Sequence, residues 1–202
     1  MTLRTWLLPA IAAALIGGVL GVQVANGGGD FTPLRAADPC AARVVTSVAS
    51  GIEGLGERLV LLGTDGAACR LGKSREALIL ELATPGPRPA AEIAALRAGL
   101  LGAVDRMKAD GSLPKASELS DEVLADAPLP GLVKLLIRAL PDGVINSALQ
   151  TDDVLKRAID KLDLRSVLAH LDDPDQLTRQ INAAVTQAVK DALLDRLRQL
   201  VR

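Results

Sequence analysis

The near absence of aromatic side chains limits what this chain can fold into more than any other feature of its sequence. Only 1% of the 202 residues are aromatic, and both rings, Trp6 and Phe31, lie near the N-terminus. Aromatic rings are normally the largest pieces of a protein core. A domain formed after Phe31 therefore needs a core of Leu, Ala, Val and Ile. An aromatic platform for bases or sugars and an aromatic cage for a quaternary amine are excluded there.

The first 25 residues predict a transmembrane helix that also directs export. Arg4 precedes a run that carries no charged residue until Asp30. This run exceeds the core of an ordinary signal peptide and reaches the roughly 17–25 residues that cross a bilayer. The positive charge before it predicts a cytoplasmic N-terminus and an extracytoplasmic C-terminal domain. A signal-peptidase site needs small residues at the first and third positions before the cut, and cleavage after Ala25 or Ala37 would place Gln23 or Arg35 at the third position. We therefore favour a retained signal-anchor over a cleaved signal peptide and secretion.

Four small residues recur at every fourth position of this segment: Ala13, Gly17, Gly21 and Ala25. Small residues at this spacing share one helix face and allow two membrane helices to approach closely. The pattern predicts self-association or pairing with the helix of another envelope protein. The alternative is that glycine is simply common in membrane segments.

Composition divides the chain into five segments. Residues 1–25 form the predicted signal-anchor, and residues 26–37 form a glycine-rich tether. Residues 38–83 are a helical segment that contains both cysteines, and residues 84–89 are a proline-rich connector. Residues 90–202 are predicted to form a helical bundle. The sequence leaves open whether the two sides of the connector share one core.

Cys40 and Cys69 are the only cysteines in the chain. On the outer side of a membrane an even cysteine count indicates a disulfide, which here would stabilise the fold by about 3–4 kcal/mol. A zinc site needs four ligands, and the single histidine, His170, is remote in sequence. A reactive thiol pair typically has C-x-x-C spacing. We therefore predict a structural disulfide that ties the first ectodomain helix to the turn before the next one.

Apolar residues at three- and four-residue steps predict an all-α ectodomain, and no stretch shows the alternation of a strand. We predict a helix over residues 41–62 that glycine weakens in its middle, followed by a turn at residues 63–66. Caps and prolines then predict the later helices: Ser74 to Ala83, 90–109, Ser120 to before Pro128, Pro130 to Leu140, one capped by Thr151, one capped by Asp163, and Pro174 to about Leu200.

The densest polar cluster surrounds His170, with Asp172, Asp173 and Asp175 next to it. A histidine beside three carboxylates can bind a divalent metal ion or act as a general base. Helix capping accounts for more of the pattern, because Asp173 fits an N-cap and Pro174 the first helical position. We predict a cap, no metal site and no catalytic residue. A hydrolase that uses His170 is kept as an alternative.

The C-terminal helix carries charges of both signs. This is typical of the solvated face of a bundle helix rather than of a membrane-surface helix, which is rich in Lys and Arg. We expect it to pack on its own domain or on a partner helix. The formal net charge of −1 argues against a surface that follows nucleic-acid phosphates. A core of aliphatic side chains allows an apolar cavity, so a lipid ligand is a further hypothesis.

Catalytic signatures such as G-x-S-x-G and H-E-x-x-H are absent from the sequence, and no motif requires a cofactor. The Ala-, Leu-, Arg- and Asp-rich composition resembles that of proteins from GC-rich bacteria. Together these features predict a membrane-anchored, extracytoplasmic helical protein, acting as a non-enzymatic interaction or accessory subunit of a bacterial envelope complex. The alternatives are a secreted or anchored carrier of lipid or another apolar ligand, and the hydrolase named above.

Overall fold

The structure is a computed structural model of the 202-residue chain. It describes residues 3–28, 38, 40–41, 43, 45, 47–84, 86–126 and 131–200. Within the helices, the side chains of residues 3–11, 123, 125, 126, 132, 133, 136, 137 and 200 are outside this description. Phe31 and most of the predicted tether lie outside the described residues as well. The chain divides into two units, residues 1–36 and residues 37–202.

Every regular element in the described part of the chain is an α-helix, which confirms the all-α class. In the first unit the described helix is α1 (Leu3–Ala25). In the second unit the described helices are α2 (Gly51–Leu71), α3 (Arg75–Ala83), α4 (Ala90–Ala109), α5 (Ala116–Asp126), α6 (Gly131–Arg138), α7 (Asp142–Ala148), α8 (Thr151–Lys161), α9 (Leu164–Ala169) and α10 (Pro174–Leu200).

Helix α1 covers the uncharged N-terminal segment, and its described side chains, from Ala12 onward, are all exposed. Over the described residues, none of the helices has the length and apolar character needed to cross a bilayer. The transmembrane signal-anchor predicted for residues 1–25 is therefore not supported by the structure.

The second unit is built around α2 and α4, whose backbones touch where they cross. Glycine stands on both helices at this point: Gly63 and Gly66 on α2, and Gly99 on α4. A Cβ added to Gly66 would lie 3.2 Å from the Cα of Gly99, and one added to Gly99 would lie 2.7 Å from the backbone nitrogen of Ala67. A methyl group on Gly99 does not fit at this distance, and one on Gly66 would need its neighbour to move by a few tenths of an ångström, so the close crossing depends on glycine.

Two clusters of Leu, Ala and Met side chains flank the crossing, as the lack of aromatic residues requires. One contains Leu78 of α3 together with Ala95 and Leu96 of α4, so residues on both sides of the 84–89 connector share one core. The other contains Leu55, Leu62, Ala103, Met107 and Leu119. Early residues of α2 thus meet late residues of α4, and the two helices run antiparallel.

The prediction for residues 41–66 is wrong in two respects. Helix α2 starts only at Gly51, and residues 63–66 lie inside the helix rather than in a turn. Gly51 has a φ of 62°, a left-handed conformation that favours glycine. The backbone N–H of Ile52 donates to Oε2 of Glu122 at 2.9 Å, so a distant side chain defines where the helix begins. The glycines at 63–66 serve the crossing with α4.

Three later boundaries also differ from the prediction. Ser120 lies inside α5, because the N-terminal turn of that helix is held from α7: the N–H of Ser117 donates to Oδ1 of Asn146 at 2.9 Å. The helix predicted to run from Pro130 to Leu140 ends at Arg138, and residues 142–148 form α7, a helix that was not predicted. Thr151 is the first residue of α8 rather than its cap, and its hydroxyl has no hydrogen-bond partner among the described residues.

The remaining caps are confirmed. The hydroxyl of Ser74 accepts a hydrogen bond from the N–H of Ala77 at 3.1 Å, and Oδ1 of Asp163 accepts one from Ser166 at 3.1 Å. The bounds predicted for α3, α4 and α10 agree with the structure. Local capping chemistry therefore fixes the helices whose ends lie on the surface.

Candidate functional site

The disulfide predicted between Cys40 and Cys69 is confirmed, but the elements that it joins differ from the prediction. It ties the segment before α2 to the last turn of that helix, rather than the first helix to the turn after it. Cys40 and Cys69 are 29 residues apart, with a Cα–Cα distance of 4.9 Å. Beside it, the buried carboxylate of Asp65 faces Nη1 of Arg75 at 3.5 Å and Nη1 of Arg43 at 3.9 Å. A buried carboxylate needs such partners, so Arg43 and the disulfide hold the same segment. This cluster is structural.

The polar cluster around His170 forms a helix cap, as predicted. Oδ1 of Asp173 accepts a hydrogen bond from the N–H of Gln176 at 2.9 Å, in the first turn of α10. Nδ1 of His170 lies 2.8 Å from the backbone oxygen of Ser166, at the end of α9. Among the residues that the structure describes, no three His, Cys, Asp or Glu side chains are grouped to hold a metal ion.

The imidazole of His170 is not placed to activate the hydroxyl of Ser166 as a nucleophile. The hydroxyl of Ser166 accepts a hydrogen bond from Nε2 of Gln180 at 2.9 Å, while the imidazole contacts the backbone oxygen of Ser166 rather than this hydroxyl. A general base has to come within about 2.6–3.2 Å of the group that it deprotonates. The hydrolase hypothesis gains no support from this geometry and stays a prediction.

Two clefts in the second unit are large enough to consider for an apolar ligand. A cleft of about 320 Å³ is lined mainly by charged side chains of α8 and α10, including Asp152, Lys156 and Arg157. A second, of about 480 Å³, is lined by Leu162, Ala183 and Ala184 as well as by polar side chains such as Lys161 and Asp163, and it lies open at the surface. Ligand pockets for apolar molecules are predominantly hydrophobic and bury most of the ligand. Neither cleft favours the lipid-carrier hypothesis.

Ion pairs join α8 to the helices on either side of it. Two reach α4 and two reach α10, so that α8 is held between charged partners along its length. The four pairs and their N–O distances are Lys108–Asp152 at 2.5 Å, Lys156–Asp105 at 2.5 Å, Lys161–Asp191 at 2.7 Å and Arg157–Asp195 at 2.8 Å.

These ion pairs lower the pKa of three carboxyl groups, those of Asp152, Asp191 and Asp195. The hydrogen bond from Arg157 holds the pKa of Asp195 below its ordinary value of 3.8, and the hydrogen bond from Lys161 does the same for Asp191. Burial raises the pKa of Asp152, but its hydrogen bond with Lys108 and the charge of that ammonium group outweigh burial, so this pKa is lowered too. The folded state therefore favours the charged form of all three.

We expect the thermal stability of the protein to fall between about pH 5 and about pH 3. A carboxyl whose pKa is lowered by folding stabilises the fold above its unfolded value of 3.8, and this stability is lost as the pH falls through the lower folded pKa. Arg157→Gln should make the decline shallower, because it removes the group that lowers the pKa of Asp195. Arg179→Gln, on the exposed side of α10, should leave it unchanged. Circular dichroism melts provide the measurement, and a constant melting temperature over this range would contradict the expectation.

Helix α10 turns its small side chains toward α8. Ala184, Ala188 and Ala192 recur at every fourth position, and each is buried. The main packing partner of α10 is α8. Asp191 and Asp195 lie along the same side, where they form the ion pairs described above. The inner side of α10 is thus occupied by the protein's own packing.

The other side of α10 exposes apolar and basic side chains together. We call it the outer face of α10, defined as Val185, Leu193, Leu194 and Leu197 with the cations Arg179, Lys190 and Arg196. Arg196 lies at the edge of this face, where it also lines the charged cleft beside α8. Consecutive residues of an α-helix are about 100° apart, which places these seven on one half of the helix and the two aspartates of the inner side on the other half. The four apolar side chains are 38%, 37%, 49% and 58% exposed, respectively.

The cations of the outer face have no acidic partner among the described residues. Arg196 donates a hydrogen bond to the side-chain oxygen of Gln199 at 3.2 Å, and no ion pair involves Arg179, Lys190 or Arg196 in that part of the chain. Charge composition alone does not reveal this face, because the helix carries charges of both signs. Placed on the helix surface, Asp191 and Asp195 share the register of the alanines, whereas Asp175, in the first turn, lies on the outer half.

The small residues predicted to pair helices lie on α1: Ala13, Gly17, Gly21 and Ala25. All four are exposed, and a Cβ added to Gly17 or Gly21 would meet no further atom within 4 Å. Space for a neighbouring helix is therefore present on this face, and the pairing itself stays a prediction.

No protein-family model matches the chain, and no curated protein or solved structure shows significant similarity to it. The features of the chain that bear on its function are therefore the fold, the disulfide and the outer face of α10. These features define a disulfide-bonded, all-α domain in which one long helix is only half covered by its own fold.

Proposed function

We propose that the chain is a non-enzymatic interaction subunit of a bacterial envelope complex, and that it binds another protein through the outer face of α10. The observation that carries the proposal is the exposure of Leu193, Leu194 and Leu197, at 37%, 49% and 58%, on a helix whose opposite side is already packed. Neighbouring apolar side chains exposed on a folded domain are typical of protein-binding surfaces.

We also propose that the second unit lies outside the cytoplasm, attached to the membrane through residues 1–25 as a retained signal-anchor. The disulfide between Cys40 and Cys69 supports the location, because disulfides persist in oxidising compartments. The uncharged run after Arg4 supports the anchor. Fractionation and N-terminal sequencing of the mature protein provide the test. A mature N-terminus near residue 26 or 38 would replace the anchor with a cleaved signal and make the protein secreted.

The native size of the protein in mild detergent extracts tests the proposed binding function. We expect the full chain to migrate as part of a larger complex, and Leu193→Asp with Leu197→Asp to release it as a free subunit, because two charges enter the apolar contact. The matched control is Val60→Asp with Leu80→Asp, which changes two side chains that are 56% and 71% exposed elsewhere on the domain. A wild-type protein of free-subunit size, or equal effects of the two double variants, would contradict the proposal.

A further inference from the structure

We infer that the segment bound to the outer face of α10 is an amphipathic helix with acidic residues beside its apolar stripe. This inference rests on the proposed protein-binding function and names the chemistry of the partner. Its two independent grounds are the charge of the outer face and the spacing of its apolar side chains.

Most charges of α10 are sorted between its two sides. The acidic Asp191 and Asp195 face α8, where Lys161 and Arg157 neutralise them at 2.7 Å and 2.8 Å. The outer half of the helix carries three cations against one acidic residue, Asp175 in the first turn, so it is positive overall. None of the three cations forms an ion pair in the described structure. Complementary charges raise association rates and select among partners. A partner that covers this face therefore carries acidic groups opposite these cations.

The apolar residues of the outer face have helical spacing. Val185, Leu193 and Leu197 are separated by multiples of four residues, and Leu194 widens the stripe on one side. A stripe of this kind on a helix accommodates a second helix, whose own apolar side chains fit between the first set. The outer face lies on a 27-residue helix, which offers length for several turns of a partner.

Two other occupants fit the outer face less well. A second copy of the chain would bring two faces of net positive charge together, each with three cations and one acidic residue, and like charges in an interface repel. A membrane surface would match the positive charge, but interfacial helices favour aromatic anchors, and the chain has no aromatic residue after Phe31. An acidic helix satisfies both the charge and the aliphatic stripe.

Binding of designed peptides to the purified full chain, kept in a neutral detergent, tests the inference. The probe is a labelled amphipathic peptide of about 20 residues with leucine on one face and glutamate beside it. The matched peptide has lysine in place of every glutamate. We expect the acidic peptide to bind about tenfold more tightly than the basic one at low salt, with a smaller ratio at high salt because salt screens exposed charges.

Charge reversal identifies the surface. Arg179→Glu, Lys190→Glu and Arg196→Glu together should abolish or invert the preference for the acidic peptide. The control, Arg70→Glu with Arg106→Glu, reverses cations on α2 and α4 and should retain it. Equal binding of the two peptides, loss of preference in the control alone, or binding to phosphatidylglycerol vesicles without binding of the acidic peptide would overturn the inference. The peptide experiment can fail while Leu193→Asp with Leu197→Asp still releases the chain from its complex. That combination would refute the acidic helix as the partner and leave the proposed protein-binding function intact.

Discussion

Replacing Gly99 with alanine is expected to lower the free energy of unfolding by about 2 kcal/mol. The added Cβ would lie 2.7 Å from the backbone nitrogen of Ala67 and would also press on the backbone oxygen of Gly63. Neither backbone atom belongs to a flexible side chain, so α2 and α4 have to move apart along the core that they share. The better helix propensity of alanine offsets part of this cost. Urea unfolding followed by circular dichroism gives the free energy, because the domain lacks aromatic fluorescence.

A second glycine of the same helix supplies the control. A Cβ added to Gly102 would meet no further atom within 4 Å, so Gly102→Ala should stabilise the protein by about 0.5–1 kcal/mol through helix propensity alone. The two substitutions are chemically identical and three residues apart, yet their effects should have opposite signs. If Gly99→Ala proved neutral or stabilising, α2 and α4 would not cross as closely as described.

Removing the disulfide is expected to cause the largest loss of stability. Cys40→Ser with Cys69→Ser opens a loop whose ends are 29 residues apart, which in the chain-entropy model costs about 3–4 kcal/mol. Removal of the disulfide would also free the segment that carries Arg43, whose guanidinium group is one of the two beside the buried Asp65. The free energy of unfolding in urea is the measurement.

Two controls separate the crosslink from its charged neighbour. Reduction of the wild-type protein should produce nearly the same loss as the double serine variant. Arg43→Gln, with the disulfide intact, should cost less, because Arg75 remains 3.5 Å from the carboxylate of Asp65. A loss of less than about 1 kcal/mol in the double serine variant would show that the crosslink contributes little to this fold.

The sequence predicts those parts of the fold that local chemistry determines. Ser74 and Asp163 cap their helices through side chains three residues away from the groups that they bind. The disulfide follows from the cysteine count and the expected compartment, and the aliphatic core follows from the lack of aromatic residues. The caps need only the residue itself and its near neighbours in the chain, whereas the disulfide and the aliphatic core follow from the composition of the whole chain.

The errors occur where a distant residue decides the local structure. Gly63 and Gly66 have the composition of a turn, and only their contact with Gly99 of α4 shows that they belong to a helix crossing. The start of α2 depends in the same way on Glu122, which accepts the hydrogen bond from Ile52 across 70 residues of chain. Pairings over such separations are not encoded in local propensity.

The candidate binding surface depends on both kinds of information. Periodicity predicts that α10 is an amphipathic helix, but it places the alanines and the leucines on a single apolar side. The structure separates them: Ala184, Ala188 and Ala192 are buried, while Leu193, Leu194 and Leu197 are exposed. Because alanines occupy the inner side of α10, this helix packs closely on α8 and buries only a small part of its own surface. The leucines of the outer face are left exposed and available for contact with a partner.

Photo-crosslinking in intact cells tests whether the outer face of α10 contacts another protein. A photoreactive residue would replace Leu193 or Leu197 on the outer face, and Leu80 on α3 as the control. Leu80 is 71% exposed, against 37% for Leu193 and 58% for Leu197, so random collisions would favour crosslinks at the control position. We predict a discrete protein adduct at positions 193 and 197 and none at position 80. Adducts to lipid alone, or equal protein adducts at all three positions, would contradict the account.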